Sequence, residues 1–508
     1  MKTNKQLVIN MVANLMSFGV TFGISFFLSP YIIESVGKEA YGFVSLSNDF
    51  VNYMALVTIA LNSMANRFIS LKIHQGQYDD AARYFNSVLI GNLCILAVLT
   101  VPAVVCVLYL DKFLNVAPDI VGDVKILFGL TFLTFFVSII SSTFSVAPYV
   151  KNRLDLAAVR DINATLVKAA VLIVLFFFCK PHIYFVGIAG LVYTLVLLIR
   201  NIRYTRQLLP EIRVGVRSFD IRCIFEMVSA GIWNVVSKIS AILATELSLL
   251  ISNVAISDSA MGFLSIAKNF PNIVLQLIGV IASVFSPEFI ISYAKNDTDT
   301  LNRQIQLSMK VVGAFAGIPI TLLIVLGKPL LSLWVPSVDT DTLYLLMIVY
   351  GLGFVFAGPV ETLYHVFTIT NRVKVPSLYA LVTGVLSIIC VMIGLEIAPD
   401  DFTKMLVIMG TTTFFTIIRT TVFIPLYAAH CLHFSKFAFY PQIFKAVASV
   451  AVMSLIGDLV MPGVRISGWI SLILVAMLVA LVQVCVNLLL FFNAQERKEL
   501  LVKFTRKR

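Results

Sequence analysis

Charge is what this 508-residue chain has least of. Asp, Glu, Lys and Arg make up 13% of it, against about 25% in an average soluble domain. That excludes a water-exposed globular fold. Linkers are as scarce: no Gly-, Ser- or Pro-rich stretch separates the apolar segments, so no extramembrane domain is expected. The seven cysteines fall mostly inside apolar runs with no Cys-x-x-Cys pair, and the five histidines are scattered. Neither pattern has metal-ligand spacing, and the cysteines read as small apolar residues. The first apolar segment lacks a small-residue cleavage site, so it is expected to stay as a helix rather than leave as a signal peptide.

What is there is apolar surface. Hydrophobic residues make up 59% of the chain and the mean hydropathy is +0.94. A membrane-crossing helix needs about 20 such residues. Backbone groups must pair within the segment in lipid, which favours helices over open strands. Fourteen spans are expected, near 7–30, 41–66, 85–110, 124–148, 161–179, 183–203, 223–253, 260–290, 306–327, 341–369, 376–397, 402–427, 441–461 and 467–491. The fold class is all-α integral membrane.

The net charge of +11 suggests nucleic acid until the charges are placed. Lys2, Lys5, Lys72, Arg83, Lys151, Arg153, Arg160, the arginines of 203–222, Lys295, Arg303, Arg372, Lys374 and the tail from Arg497 to Arg508 share one face of this topology. The opposite loops carry Glu34, Glu39, Asp111, Asp119, Asp123, Asp339, Asp341, Asp400 and Asp401. Basic loops stay cytoplasmic, so both termini are expected there. The same loops are expected to attract anionic membrane lipids. No nucleic-acid partner is expected.

The chain also repeats itself. Tyr41-Gly42-Phe43-Val44-Ser45 and Met261-Gly262-Phe263-Leu264-Ser265 match at an offset of 220, as do Asn14 with Asn234, Ser17 with Ser237, Asn52 with Asn272 and Arg83 with Arg303. Asn152-Arg153 matches Asn371-Arg372 at 219. Six spans per repeat make the repeats parallel, a plan that many carriers use with the substrate between the halves. The expected division is residues 1–210 for the first lobe, 211–435 for the second, and 436–508 for two further helices and a basic tail.

Ionisable residues inside a bilayer cost about 2.5–3.5 kcal/mol each and usually face a cavity or a partner. Asp49, Arg67, Lys168, Lys238, Glu246, Lys268, Glu288, Glu361 and Arg419 remain after the loops are assigned, with His365 beside them. Asn10, Asn14, Ser17, Thr21 and Ser25 lie on one face of span one; Asn234, Ser237, Thr245, Ser248 and Ser252 form a similar stripe on span seven. Such stripes line a cleft or bond helix to helix. Asp49 pairs with Lys238 or Lys268 in one arrangement, as a static ion pair or as a charge exchanged with substrate. Arg419 and Lys168 each suit a cavity or an interfacial anchor. Glu361 follows Pro359 and precedes His365 by four residues, which suits a proton or cation relay or a buried pair. Cations slightly outnumber carboxylates in this set, which favours an anionic substrate such as a phosphate or diphosphate.

The polar first span, the Tyr41-Gly42-Phe43 and Met261-Gly262-Phe263 twins, Pro287, and Asn371-Arg372 before Pro376 make the chain resemble the multidrug/oligosaccharidyl-lipid/polysaccharide exporter superfamily. It looks most like its polysaccharide-transport branch, the O-antigen and capsule repeat-unit flippases. The resemblance implies two six-helix lobes around a central cavity and alternating access in a bacterial cytoplasmic membrane. It implies an undecaprenyl-diphosphate-linked oligosaccharide as substrate and polysaccharide polymerases as partners. It also implies no enzymatic activity and no cofactor beyond a coupling H+ or Na+. Substrate binding is expected at Lys238, Lys268, Arg419, Arg67, Asn14 and Asn234, and ion coupling at Asp49, Glu246, Glu361 and His365. An ion-coupled multidrug or small-molecule antiporter of the same superfamily is the alternative. A membrane-embedded polymerase or ligase would be expected to carry a long outer loop with Arg and His, and the outer loops here are short.

Overall fold

The computed structural model describes residues 2–151, 153–212, 214–215 and 218–492. The chain is 87% helical, with no strand among the described residues. Fourteen described helices are long and apolar enough to cross a bilayer, and each expected span falls on one of them. Arg213, Arg217, Asn152, the tail from 493 and the side chain of Asn14 lie outside the described residues.

Helix starts follow local chemistry. Asp297, Asp339 and Asp400 accept the backbone N–H of Thr300, Thr342 and Thr403 at 3.0, 3.0 and 2.9 Å. Each satisfies a donor that a helix N-terminus leaves open. The bonds from the Thr403 backbone and hydroxyl hold the Asp400 carboxyl below the usual carboxylate range.

Packing divides the chain into two compact units. The first is Met1–Ile242 with Leu249–Gly262, and the second is Leu243–Ser248 with Phe263–Arg508. The packing boundary crosses span seven, Ile221–Ala255, on either side of Leu243–Ser248, and crosses span eight, Asp258–Tyr293, after Gly262. The first unit is built around Phe85, Val88, Phe144, Val150 and Met227, and the second around Phe289, Met309, Val360, Phe367 and Phe439.

Spans thirteen and fourteen, Tyr440–Gly463 and Trp469–Phe491, pack within the second unit because a polar knot ties them to span nine. Gln483 accepts from the Thr321 hydroxyl at 3.0 Å and donates to Ser449 Oγ at 2.7 Å. Asn487 accepts from Ser449 and donates to the Ala314 carbonyl at 2.7 Å. Gln483→Leu leaves several of these groups unpaired. It is expected to cost about 1–2 kcal/mol, read as a lowered Tm of the purified protein in detergent. An unchanged Tm would show that the knot contributes nothing.

Several spans are interrupted, and in three of them the interruption carries an ionisable residue named above. Span seven has a π-helical turn at Ile242–Glu246, span twelve one at Arg419–Phe423, and span ten a 3-10 turn at Glu361–Leu363. Such turns redirect side chains and free backbone carbonyls from the regular ladder.

Candidate transport sites

In the first unit, span seven runs along span two, Lys38–His74. Gly231 permits this. A Cβ at that position would overlap the Ala60 carbonyl, so only glycine lets the backbones come this close. One helical turn further on, Asn234 Nδ2 donates to Ser63 Oγ at 3.0 Å, and a further turn on, Lys238 Nζ donates to Asn52 Oδ1 at 3.1 Å. Asp49 precedes Asn52 by three residues, so it lies on the same face of span two as the group that receives Lys238. Arg67 is exposed and makes no hydrogen bond or ion pair among the described residues.

The stripe on span one serves in part as bonding between helices. Asn10 Oδ1 accepts from the Asp155 backbone N–H at 3.1 Å, and the Thr21 and Thr165 hydroxyls meet at 3.4 Å. Both partners belong to span five, Leu154–Phe178. Lys168 follows Thr165 by one turn, so it shares the face turned to span one. It sits fourteen residues from Leu154 and ten from Phe178, near the middle of that span. Among the described residues it has no hydrogen bond or ion pair. The charged residues Arg160 and Asp161 stand two helical turns before it on the same span, so Lys168 is set inside the apolar part of span five. Sequence reasoning named this residue without deciding its role; it is the one charge in the apolar run from Ile162 to Phe178, seven residues beyond Asp161.

In the second unit, Lys268 is 8% exposed. Its Nζ donates to the Thr245 carbonyl at 3.0 Å and to Ser248 Oγ at 2.8 Å, and it stands 5.7 Å from the Tyr350 ring centroid. A π turn leaves carbonyls in need of a donor, and Lys268 supplies one on either side of Glu246. Its placement ties span eight, Asp258–Tyr293, to the interruption in span seven.

The second unit also holds a polar cavity of about 350 Å3. Glu361, Arg419, Tyr350, Tyr364, Asn272 and a row of threonines line it. Arg419 therefore faces a cavity and is not an interfacial anchor. It stands within electrostatic reach of Glu361 without a contact ion pair, and its Nε has no hydrogen-bond partner among the described residues. His365 lies beside the Ala282 backbone and is not part of the cavity lining. The structure thus brings Glu361 together with Arg419 rather than with His365.

Two contacts near the far end of span seven were not foreseen. Asn115 and Asn253 clasp each other: Asn115 N–H donates to Asn253 Oδ1 at 2.9 Å, Asn115 Nδ2 to the Asn253 carbonyl at 2.7 Å, and Asn253 Nδ2 to the Asn115 carbonyl at 3.0 Å. Nearby in sequence, the repeat twins Gly42 and Gly262 pack on each other, where a Cβ on Gly42 would stand 3.1 Å from Gly262 Cα. The repeat showed that these glycines correspond, not that they touch.

These features define a polytopic helical membrane protein with ionisable groups set at helix interruptions. Comparison with known proteins agrees. The chain belongs to the polysaccharide biosynthesis protein family, whose model matches residues 36–337, more than half of the chain. It is 24% identical over 500 residues to the Bacillus subtilis (strain 168) protein called uncharacterized membrane protein EpsK, covering 98% of each. Its fold is that of the lipid II flippase MurJ in an inward closed conformation (TM-score 0.63, 15% identity, 94% of this chain and 98% of that one). It is also that of an inward-facing multidrug resistance transporter of the MATE family in the MOP superfamily (TM-score 0.64, 12% identity, 84% and 99%). The family agrees with the polysaccharide branch that the sequence resembles, and the fold agrees with that of the superfamily's solved members.

Proposed function

We propose that this protein is a flippase that moves undecaprenyl-diphosphate-linked oligosaccharide repeat units across the bacterial cytoplasmic membrane by alternating access. The observation that carries the substrate class is Lys168. An ammonium two helical turns inside the apolar run, without a partner among the described residues, is costly, and a diphosphate entering the unit offsets that cost. Lys238, whose Nζ donates to Asn52 Oδ1, is a second cation in the same unit. The polysaccharide-biosynthesis family supports the sugar-bearing class of lipid.

The drive in this reading is an ion gradient, H+ or Na+, with Asp49, Glu246 and Glu361 as the carboxylates to test. Polysaccharide polymerases are its expected partners. The multidrug transporter neighbour keeps a small-molecule antiporter as the second reading. Deleting the gene and extracting lipid-linked intermediates separates the two. Build-up of undecaprenyl-diphosphate oligosaccharide with loss of surface polysaccharide supports the flippase. Normal polysaccharide with heightened sensitivity to cationic drugs supports the antiporter.

Orientation follows from the basic face. In a background freed of native cysteines, Asp400→Cys is expected to react with an impermeant maleimide from outside intact cells. Lys295→Cys is expected to react only after lysis. The opposite pattern would invert the transport direction proposed.

A further inference from the structure

The cavity of about 350 Å3 in the second unit has an unusual inventory of free hydrogen-bonding groups. Thr412, Thr416 and Thr420 lie at i, i+4 and i+8 on span twelve. Their hydroxyl protons go to the carbonyls of Ile408, Thr412 and Thr416 at 3.1, 2.9 and 2.8 Å. Their oxygens are therefore left as acceptors in the lining. Glu361 adds a carboxylate with no hydrogen bond among the described residues. On the donor side stand the Arg419 guanidinium and the Tyr364 hydroxyl, neither of them hydrogen-bonded among the described residues. Asn272 has its Oδ1 occupied by Tyr350 O–H at 2.9 Å, which leaves its Nδ2 to donate.

This mixture excludes the simpler occupants. A metal or alkali ion gains from the oxygens but meets the Arg419 cation, and no group of three His, Cys, Asp or Glu that could hold a metal occurs among the described residues. A phosphate gains from Arg419 but meets Glu361 and a row of acceptors with no protons to give. A ligand that both donates and accepts at each position satisfies the whole set, and a polyol does this. Phe354 and Leu275 supply the apolar walls that pockets of this size use against a ring face. The fold does not require the ladder. At an offset of 220 or 219 the first repeat holds Val192 or Tyr193, Val196 or Leu197, and Arg200 or Asn201 in place of the three threonines.

We propose that this cavity binds a neutral sugar ring of the transported molecule. The assignment of that ring to a lipid-linked substrate rests on the flippase reading; the sugar chemistry rests on the cavity itself. The test uses Thr416→Cys in a cysteine-free background, purified in detergent and modified with methyl methanethiosulfonate. Glucose, galactose and N-acetylglucosamine are the probes, with glycerol, inorganic diphosphate and NaCl as controls.

At about twice its Kd a sugar is expected to slow modification about threefold, the factor set by simple occupancy, and the controls are expected to leave the rate unchanged. Protection by diphosphate or NaCl alone, protection by nothing, or a thiol that never reacts would each overturn the proposal. Thr416→Val, which keeps the side-chain shape, is expected to slow flipping of a lipid-linked oligosaccharide while sparing undecaprenyl diphosphate that carries one sugar; equal effects on both would also overturn it. Wild-type flipping without sugar protection sinks this inference alone. Sugar protection without wild-type flipping sinks the transport reading alone.

Discussion

Lys238→Ala is expected to abolish export while leaving the protein's abundance in the membrane unchanged. The ammonium is half-buried on span seven and held by Asn52 Oδ1 at 3.1 Å. A hydrogen bond to a charged group is worth about 1.5–3 kcal/mol, so its loss from a bound diphosphate weakens binding about tenfold to a hundredfold. The fold is expected to survive because Gly231 on Ala60 and Asn234 on Ser63 still seat span seven on span two. Lys168→Ala is expected to behave alike, and the double variant to be no worse than either where both hold one diphosphate. Export is read as surface polysaccharide and as the lipid-linked intermediate. Wild-type export from Lys238→Ala would remove the cation from substrate handling. A fall in abundance matched to the fall in export would make Lys238 a structural residue.

A cross-link between Asn115→Cys and Asn253→Cys is expected to stop transport and a reductant to restore it. Three hydrogen bonds already clasp these residues. Span seven is divided by its π turn: residues up to Ile242 and from Leu249 pack with the first unit, and Leu243–Ser248 pack with the second through Lys268. In the alternating-access reading proposed above, a helix divided in this way is expected to exchange contacts during transport. The clasp breaks without a chemical step, whereas a short bis-methanethiosulfonate bridge does not. Transport that continues at the uncross-linked rate in fully bridged protein would show that this end of span seven stays closed throughout the cycle.

The fourteen spans were legible because the bilayer dictates their length and composition, and few residues break the runs. The glycines of the sequence repeat, Gly42 and Gly262, stood out because both sit where the backbone leaves no room for a Cβ. The site was only partly legible. Charge in an apolar run marked Lys238, Glu246, Glu361 and Arg419 because lipid makes charge conspicuous. Pro359 announced the turn at Glu361. The π turn at Ile242–Glu246 carries no proline or glycine, so nothing local announced that Glu246 sits on redirected backbone; at Arg419–Phe423 the signal was Pro425, which leaves the Thr421 carbonyl to the Tyr440 hydroxyl at 2.8 Å. Glu361 and His365 share a helical spacing on paper, but the 3-10 turn changes the rotation between them, and Arg419 from span twelve takes the place beside Glu361. The Asn115 clasp joins residues that the repeat does not relate, so only tertiary structure reveals it.

Movement of a diphosphate-linked sugar lipid by this chain is measured with purified protein in proteoliposomes. The substrate is a fluorescent undecaprenyl-diphosphate oligosaccharide, with its appearance in the opposite leaflet followed by an impermeant quencher. The account predicts leaflet exchange by the wild type, dependent on an imposed H+ or Na+ gradient and lost in Lys238→Ala. Exchange no faster than in empty liposomes, or equal exchange by Lys238→Ala, would contradict it.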